Sequence, residues 1–329
     1  MRASLWVAAI AALVLLLPAG ARAQAASSTT VSVDVIDAES LIDAGKYQDA
    51  IALLNAAIAA HPQDARAFVD RGDAYEDLSR QTQAIADYTA AITINPEYAY
   101  AYASRCESRY ELDDLAAALD DCDRAISLDS HSAYAYRQRS LVEQDEGASG
   151  GAQSALQDAQ EAIALESGNS FGYAVKCRAE VRLMRYADAV SDCSTSLNLG
   201  DKGDWPYFYR GLAEIHEQSW QSANADFTAA LGREAAPSGT YYWRALSRYH
   251  LAQNDDALED VIAYIGTSPE DGDGYLLRAR IQLALGRSAD AQASAQTALE
   301  RYRVANDADG MAQAQAFLLQ LQSTPQPHA

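Results

Sequence analysis

Residues 65–98 read ARAFVDRGDAYEDLSRQTQAIADYTAAITINPEY, and residues 99–132 repeat their layout at an interval of 34. Ala-Tyr-Ala-Tyr stands at 99–102 and again at 133–136. A basic residue recurs as Arg71, Arg105, Arg139, Lys176, Arg210, Arg244 and Arg278, every interval being 34 except the 37 before Lys176. A small residue follows each base: Gly72, Cys106, Ser140, Cys177, Gly211, Ala245 and Ala279. Sixteen residues after the base comes an acid, at Asp87, Asp121, Asp192, Asp226 and Asp260, and Asp158 joins them if three residues are inserted near Gly147–Gly151. Such a period marks a stack of supersecondary units and takes precedence over residue-by-residue assignment.

Each period reads as two helices. Phe68, Gly72, Tyr75 and Leu78 form one apolar stripe at helical spacing, and Ala84, Tyr88 and Ala91 form a second. Asn95-Pro96 ends the unit, because proline drives the preceding residue out of the α region; Pro62 and Pro269 hold the same place in their own units. Alternating apolar patterns are absent, so the expected class is all-α, with each hairpin burying its apolar face only against its neighbours.

The stretch Phe68, Gly72, Tyr75, Ala84, Tyr88, Ala91 and Pro96 resembles the tetratricopeptide repeat in residue type and spacing. Gly45, Tyr47, Ala50, Leu54, Ala57 and Pro62 match the second half of an earlier copy, and Gly211, Trp220, Ala223, Phe227 and Ala230 match a later one. Cys106 and Cys177 depart from the Gly or Ala of the pattern, and Ser130 and Asp201 from its Pro. The resemblance implies a right-handed α-solenoid of about eight repeats. A body over 37–304 is expected, closed by a capping helix over 305–322 that turns Met311, Ala314, Phe317, Leu318 and Leu321 inward, with a mobile tail at 323–329.

The chain has 329 residues, 49% apolar and 22% charged, with 25 basic against 46 acidic side chains and a net charge of −21. That balance disfavours nucleic-acid phosphates and anionic lipid as partners. At the start, Arg2 precedes a 13-residue apolar run from Leu5 to Leu17, then Pro18 and Ala21-Arg22-Ala23. This is the layout of an export signal over 1–23, cleaved before Gln24 and followed by an extension over 24–36; the run is too short to span a bilayer. A periplasmic or extracellular product without a membrane span is expected.

Cys106 and Cys122 are 16 apart, as are Cys177 and Cys193, at identical phases of two units. Behind an export signal this pairing predicts disulfides 106–122 and 177–193, since stacking holds the two units too far apart for crossed pairs. The recurrent base and acid are expected to be structural, because a catalytic pair occurs once and a ladder occurs in every unit. Whether each Asp meets the base of its own unit or of the next is open at this stage, and Lys176 is expected to give a weaker rung than the planar guanidinium fork.

No Gly-x-Ser-x-Gly elbow, phosphate loop or Gly-x-Gly-x-x-Gly run occurs, so neither enzymatic activity nor a cofactor is expected. His216 and His250 lie 34 apart without a further ligand type beside them, so no metal is expected either. Tetratricopeptide superhelices line a concave groove with their first helices. At the corresponding phases the early units carry Asp70, Asp73, Glu76, Asp77, Glu107 and Glu111, and the later ones carry Trp205, Phe208, Tyr209, His216, Tyr242, Trp243, Tyr249 and His250. The resulting expectation is a non-catalytic scaffold that binds a peptide segment or protein partner in an acidic-to-aromatic groove. The competing readings are a spacer subunit of a cell-envelope assembly and an aromatic-lined carbohydrate or small-molecule binder.

Overall fold

Seven hairpins turn from their first helix into their second through one residue with positive φ. These are Gly45, Ser79, Asp113, Met184, Gln218, Ala252 and Gly286, at the same phase of successive repeats, and Gly147 ends the first helix of the unit with the longer connection. At Ser79 the turn is closed by its N–H donating to Glu76 O at 2.7 Å and by Arg80 N–H donating to Tyr75 O at 2.8 Å. The same pair of bonds recurs at Ala252 and Gln253. This is the Schellman arrangement that satisfies the last carbonyls of a helix. Its left-handed residue favours glycine, yet here five of these positions carry Ser, Asp, Met, Gln or Ala.

The computed structural model describes residues 37–147, 151–233, 236–237 and 239–323. The expected export signal and extension, and residues 324–329 of the expected tail, lie outside them. Among the described residues there are 17 helices and no strand, dividing into two units at Leu165 and Glu166. In unit 1 the hairpins are α1 (37–43) with α2 (Tyr47–Ala60), α3 (Ala65–Glu76) with α4 (Gln81–Ile94), α5 (Ala99–Glu111) with α6 (Leu115–Leu128), and α7 (Ala133–Glu146) with α8 (Gly151–Leu165). Unit 2 holds α9 (Ser170–Arg182) with α10 (Tyr186–Asn198), α11 (Trp205–His216) with α12 (Trp220–Leu231), α13 (Thr240–His250) with α14 (Asn254–Thr267), and α15 (Gly272–Ala284) with α16 (Ser288–Ala305). A last helix, α17 (Ala308–Ser323), packs Met311, Ala314, Phe317, Leu318 and Leu321 against the core of α15 and α16. The fold class is that of an all-α helical-repeat solenoid.

One contact recurs inside the hairpins and is solved in different ways. Gly72 faces Tyr88, and a Cβ on the glycine would lie 2.5 Å from the ring. Gly211 faces Phe227, where the same atom would lie 2.8 Å away. At the equivalent phase Ala245 and Val261 share one core, and Ala279 and Ala295 share another. In two further cases the pair is covalent: Cys106–Cys122 and Cys177–Cys193 are disulfides, with Cα atoms 5.5 and 5.4 Å apart. A close-packed interior admits a glycine against a ring, two small residues, or two sulfurs, because each fills a similar gap.

The charge ladder pairs within each hairpin. Arg71 Nε donates to Asp87 Oδ2 at 2.7 Å and its Nη2 to Asp87 Oδ1 at 2.6 Å; Arg105–Asp121, Arg139–Asp158, Arg210–Asp226 and Arg244–Asp260 repeat this fork. Lys176 meets Asp192 through a single contact at 2.7 Å. The third nitrogen of the fork reaches the second helix of the preceding hairpin: Arg71 Nη1 donates to Asn55 at 2.6 Å, Arg105 to Thr89 at 3.0 Å, Arg139 to Asp123 at 2.8 Å and Arg210 to Ser194 at 3.0 Å. Each arginine thus fastens its own hairpin and docks it on the one before. The guanidiniums also lie 5.0–5.8 Å from the rings of Phe68, Tyr102, Tyr136, Tyr207, Tyr241 and Tyr275, each three residues earlier.

Candidate functional site

The first helices of unit 1 gather carboxyl groups. Asp64 caps α3 by accepting from Arg66 and Ala67 N–H, and Ser132 caps α7 by accepting from Ala135 N–H, which sets where those helices start. On α3, Asp73 accepts from the hydroxyl of Tyr88 at 2.7 Å and from that of Tyr100 at 3.3 Å. Glu76 accepts from Ser108 at 2.7 Å and from Tyr88 at 3.2 Å. On α5, Glu107 accepts from the hydroxyl of Tyr134, whose ring stacks on Tyr100 with centroids 5.7 Å apart. Asp70 is buried, with Arg66 Nε 3.8 Å away and one carboxyl oxygen that receives no hydrogen bond.

These groups hold protons more tightly than free carboxylates do. Burial, followed by the charge of Asp73, pushes Asp70 up to about 7. Burial raises Asp73 to about 6 against the opposing hydrogen bonds of Tyr88 and Tyr100. Glu76 is raised to about 8 by burial and by Glu107, and Glu107 is itself raised by burial against the bond from Tyr134. Removing water stabilises the neutral form of each acid, and like charges nearby add to that effect. The face therefore keeps part of its negative charge in reserve. A cation placed beside it favours ionisation and releases protons. Glu111 and Asp77 lie exposed at its edge.

At the matching phases of unit 2 the first helices carry rings. On α11, Tyr209 contacts both Trp205 and Phe208, with centroids 6.3 and 5.3 Å away. Arg178 lies over Trp205 at 5.1 Å and over Tyr209 at 5.8 Å. Tyr242 and Trp243 on α13 meet edge to face at 5.0 Å. All these rings and Tyr249 are half-buried, and they also serve the core. Phe208 and Trp243 pack on Ile215 and Phe227, Tyr209 on the Cys177–Cys193 cluster, and Tyr242 and Tyr249 on Ala245 and Val261. His216 and His250 stack on Tyr186 and Trp220, at 4.1 and 3.8 Å, nearly parallel. Each links the end of a first helix to the start of the preceding second helix. Burial, with Arg280 nearby, lowers the pKa of His250.

The structure thus joins Asp73 and Glu76 through the hydroxyl of Tyr88, sets Glu107 next to them through the Tyr134–Tyr100 stack, and leaves Asp70 beside Asp73. It places the rings of unit 2 in two clusters and the two histidines at joints between hairpins. Sequence reasoning missed the hydroxyls of Tyr88, Tyr100, Tyr134 and Ser108 that hold the carboxyls, although Tyr100 and Tyr134 stand 34 apart in the quoted Ala-Tyr-Ala-Tyr repeats. It also missed the aromatic ladder three residues before each base. Among the described residues no group of three or more His, Cys, Asp or Glu is arranged to hold a metal ion, and no helix is long and apolar enough to cross a membrane.

A tetratricopeptide-repeat family model matches residues 38–99. Among solved structures, a chain in the crystal structure of the APC/C hetero-tetramer Cut9–Hcn1 is similar over 85% of this chain, at 14% identity and a TM-score of 0.66. This chain spans 54% of that one. PilF of Pseudomonas aeruginosa is similar over 65% of this chain and 96% of its own, at 15% identity and a TM-score of 0.55. These likenesses concern the fold. No curated protein sequence matches the chain.

Proposed function

We propose that this protein is a non-catalytic interaction scaffold that captures a basic segment of another protein on the carboxyl–tyrosine face of α3, α5 and α7. The observation that carries the reading is the set of Asp70, Asp73, Glu76 and Glu107, whose charge is held back by burial and is completed by an incoming ammonium or guanidinium group. The half-buried rings of unit 2 offer edges to apolar side chains of a partner, since Tyr and Trp give contact area at small entropic cost. The repeat fold, given over to stacking hairpins, supports a binding role rather than a catalytic one. The two disulfides and the apolar run ahead of Ala21-Arg22-Ala23 favour an exported protein working in an oxidising compartment such as the periplasm.

The test is calorimetry with a lysine- and arginine-rich peptide in two buffers of different ionisation enthalpy. Binding should release protons near pH 7 and weaken with salt. Asp73→Asn combined with Glu107→Gln should weaken it roughly ten-fold or more, as expected for losing charged hydrogen bonds. Equal affinity of this double variant and the unaltered protein would refute the reading.

A further inference from the structure

Unit 2 also holds a pocket of about 340 Å³ between α13, α15 and α17 that the faces above do not use. Tyr249, Arg280, Leu283, Ala284, Phe317 and Gln320 line it. Its floor is apolar: Phe317 is buried in the core of the last hairpin and Leu283 packs against that core. Its size sits at the small end of ligand cavities.

Arg280 makes this pocket unusual. It occupies the phase that carries Asp73 and Glu107 in unit 1, so the sign of the charge is reversed at one register of the repeat. The chain has 46 acidic side chains for 25 basic ones, and Arg71, Arg105, Arg139, Arg210 and Arg244 of the ladder each grip an aspartate. Arg280 is half-buried, yet among the described residues no carboxylate stands within ion-pair distance of it. The rings of Tyr249 and Phe317 line the pocket with it, and its charge is felt at Tyr242 and His250. A planar guanidinium lining a pocket beside Leu283, Ala284 and Phe317 is suited to a carboxylate, which it can engage through two parallel hydrogen bonds.

We propose that this pocket binds a small organic carboxylic acid, with Arg280 taking the carboxylate and Leu283, Ala284 and Phe317 receiving the apolar body. An inorganic anion would leave that apolar floor unused. The inference stands apart from capture of a basic segment on unit 1, and the failure of one leaves the other standing.

The full chain is titrated with phenylacetate and with hexanoate, followed by saturation-transfer NMR and by thermal shift, beside the neutral phenylacetamide and inorganic phosphate. The expected result is saturable binding of the acids, with the amide and phosphate weaker by roughly ten-fold or more. Arg280→Gln should abolish acid binding. Arg280→Lys, which keeps a point charge and guards against a folding defect in the first variant, should bind the acids detectably but more weakly. Absence of binding by either acid, equal binding of acid and amide, preference for phosphate, or undiminished binding by a folded Arg280→Gln would each overturn the proposal.

Discussion

The first helices of unit 1 and unit 2 present the same helical phases and fill them with opposite chemistry. The phase of Asp70, Ser104 and Gln138 in unit 1 carries Val175, Tyr209, Trp243 and Leu277 in unit 2. Where Asp73 and Glu107 stand, unit 2 has Arg178, Leu212, Leu246 and Arg280. The second helices follow suit: Tyr88, whose hydroxyl serves Asp73 and Glu76, is replaced at its phase by Phe227, which meets Leu212 and Ile215. The ring is needed in both places to fill the space above a glycine, and the hydroxyl appears only where there is a carboxyl to receive it. Packing is thus a property of the repeat, while polarity is a property of each unit.

The largest expected effect comes from removing covalent closure in one unit at a time. Each disulfide closes a loop of 16 residues, worth about 3 kcal/mol in the chain-entropy model. Replacing Cys177 and Cys193 by serine should lower the urea midpoint seen by tryptophan fluorescence, because Trp205, Trp220 and Trp243 all lie in unit 2. The equivalent change at Cys106 and Cys122 should move the circular-dichroism transition more than the fluorescence one. Identical shifts in both signals for both variants would erase the distinction between the units.

An exchange of the two rings tests the comparison directly. Tyr88→Phe strips a donor from two half-buried carboxyls, and Phe227→Tyr buries a hydroxyl among Leu212 and Ile215. Each should cost about 1–3 kcal/mol in chemical denaturation. If Phe227→Tyr proves neutral, the apolar character of that site is wrong.

A smaller effect concerns pH. Glu76 in the folded chain titrates near 8, above its free value of 4.5, because of burial and then Glu107. Between those values the folded state binds more protons than the unfolded one, so stability is greatest on the acid side and declines as pH rises through the window. Glu180 and Glu214 in unit 2, raised to about 8 by burial and by Asp192 and Asp226, act in the same direction. The melting temperature should fall between about pH 5 and about pH 8. Glu76→Gln should flatten the dependence seen by circular dichroism and leave that seen by tryptophan fluorescence unchanged.

The smallest effect is expected at the turns. Ala252 holds φ at +58°. Ala252→Gly relieves that conformation but loosens the unfolded chain, for a net gain of roughly half a kcal/mol in thermal or urea unfolding. A loss of stability would show that the methyl group packs usefully there.

Much of the architecture was legible because a 34-residue interval survives substitution: Arg71 and Arg244 announce the same rung from opposite ends of the chain. The partner of each rung was not legible, since Arg105 lies 16 residues before Asp121 and 18 after Asp87, and only the three-dimensional fork shows that it grips Asp121 while touching Thr89. The acidic phases of α3 and α5 could be named in advance, but not the proton-holding character of Asp73 or Glu76, which comes from burial by the neighbouring helices against the opposing bonds of Tyr88. Turns were hidden for a different reason. Met184 and Ala252 adopt the left-handed conformation that composition alone assigns to glycine.

The backward reach of the arginine forks gives each unit a direction. When one hairpin opens, its own fork lets go of its predecessor, whereas its successor loses only the Nη1 contact and keeps its internal grip on aspartate. Within a unit, opening one hairpin therefore severs a single Nη1 bond at each of its joints, and the hairpins on both sides stay clasped by their own forks.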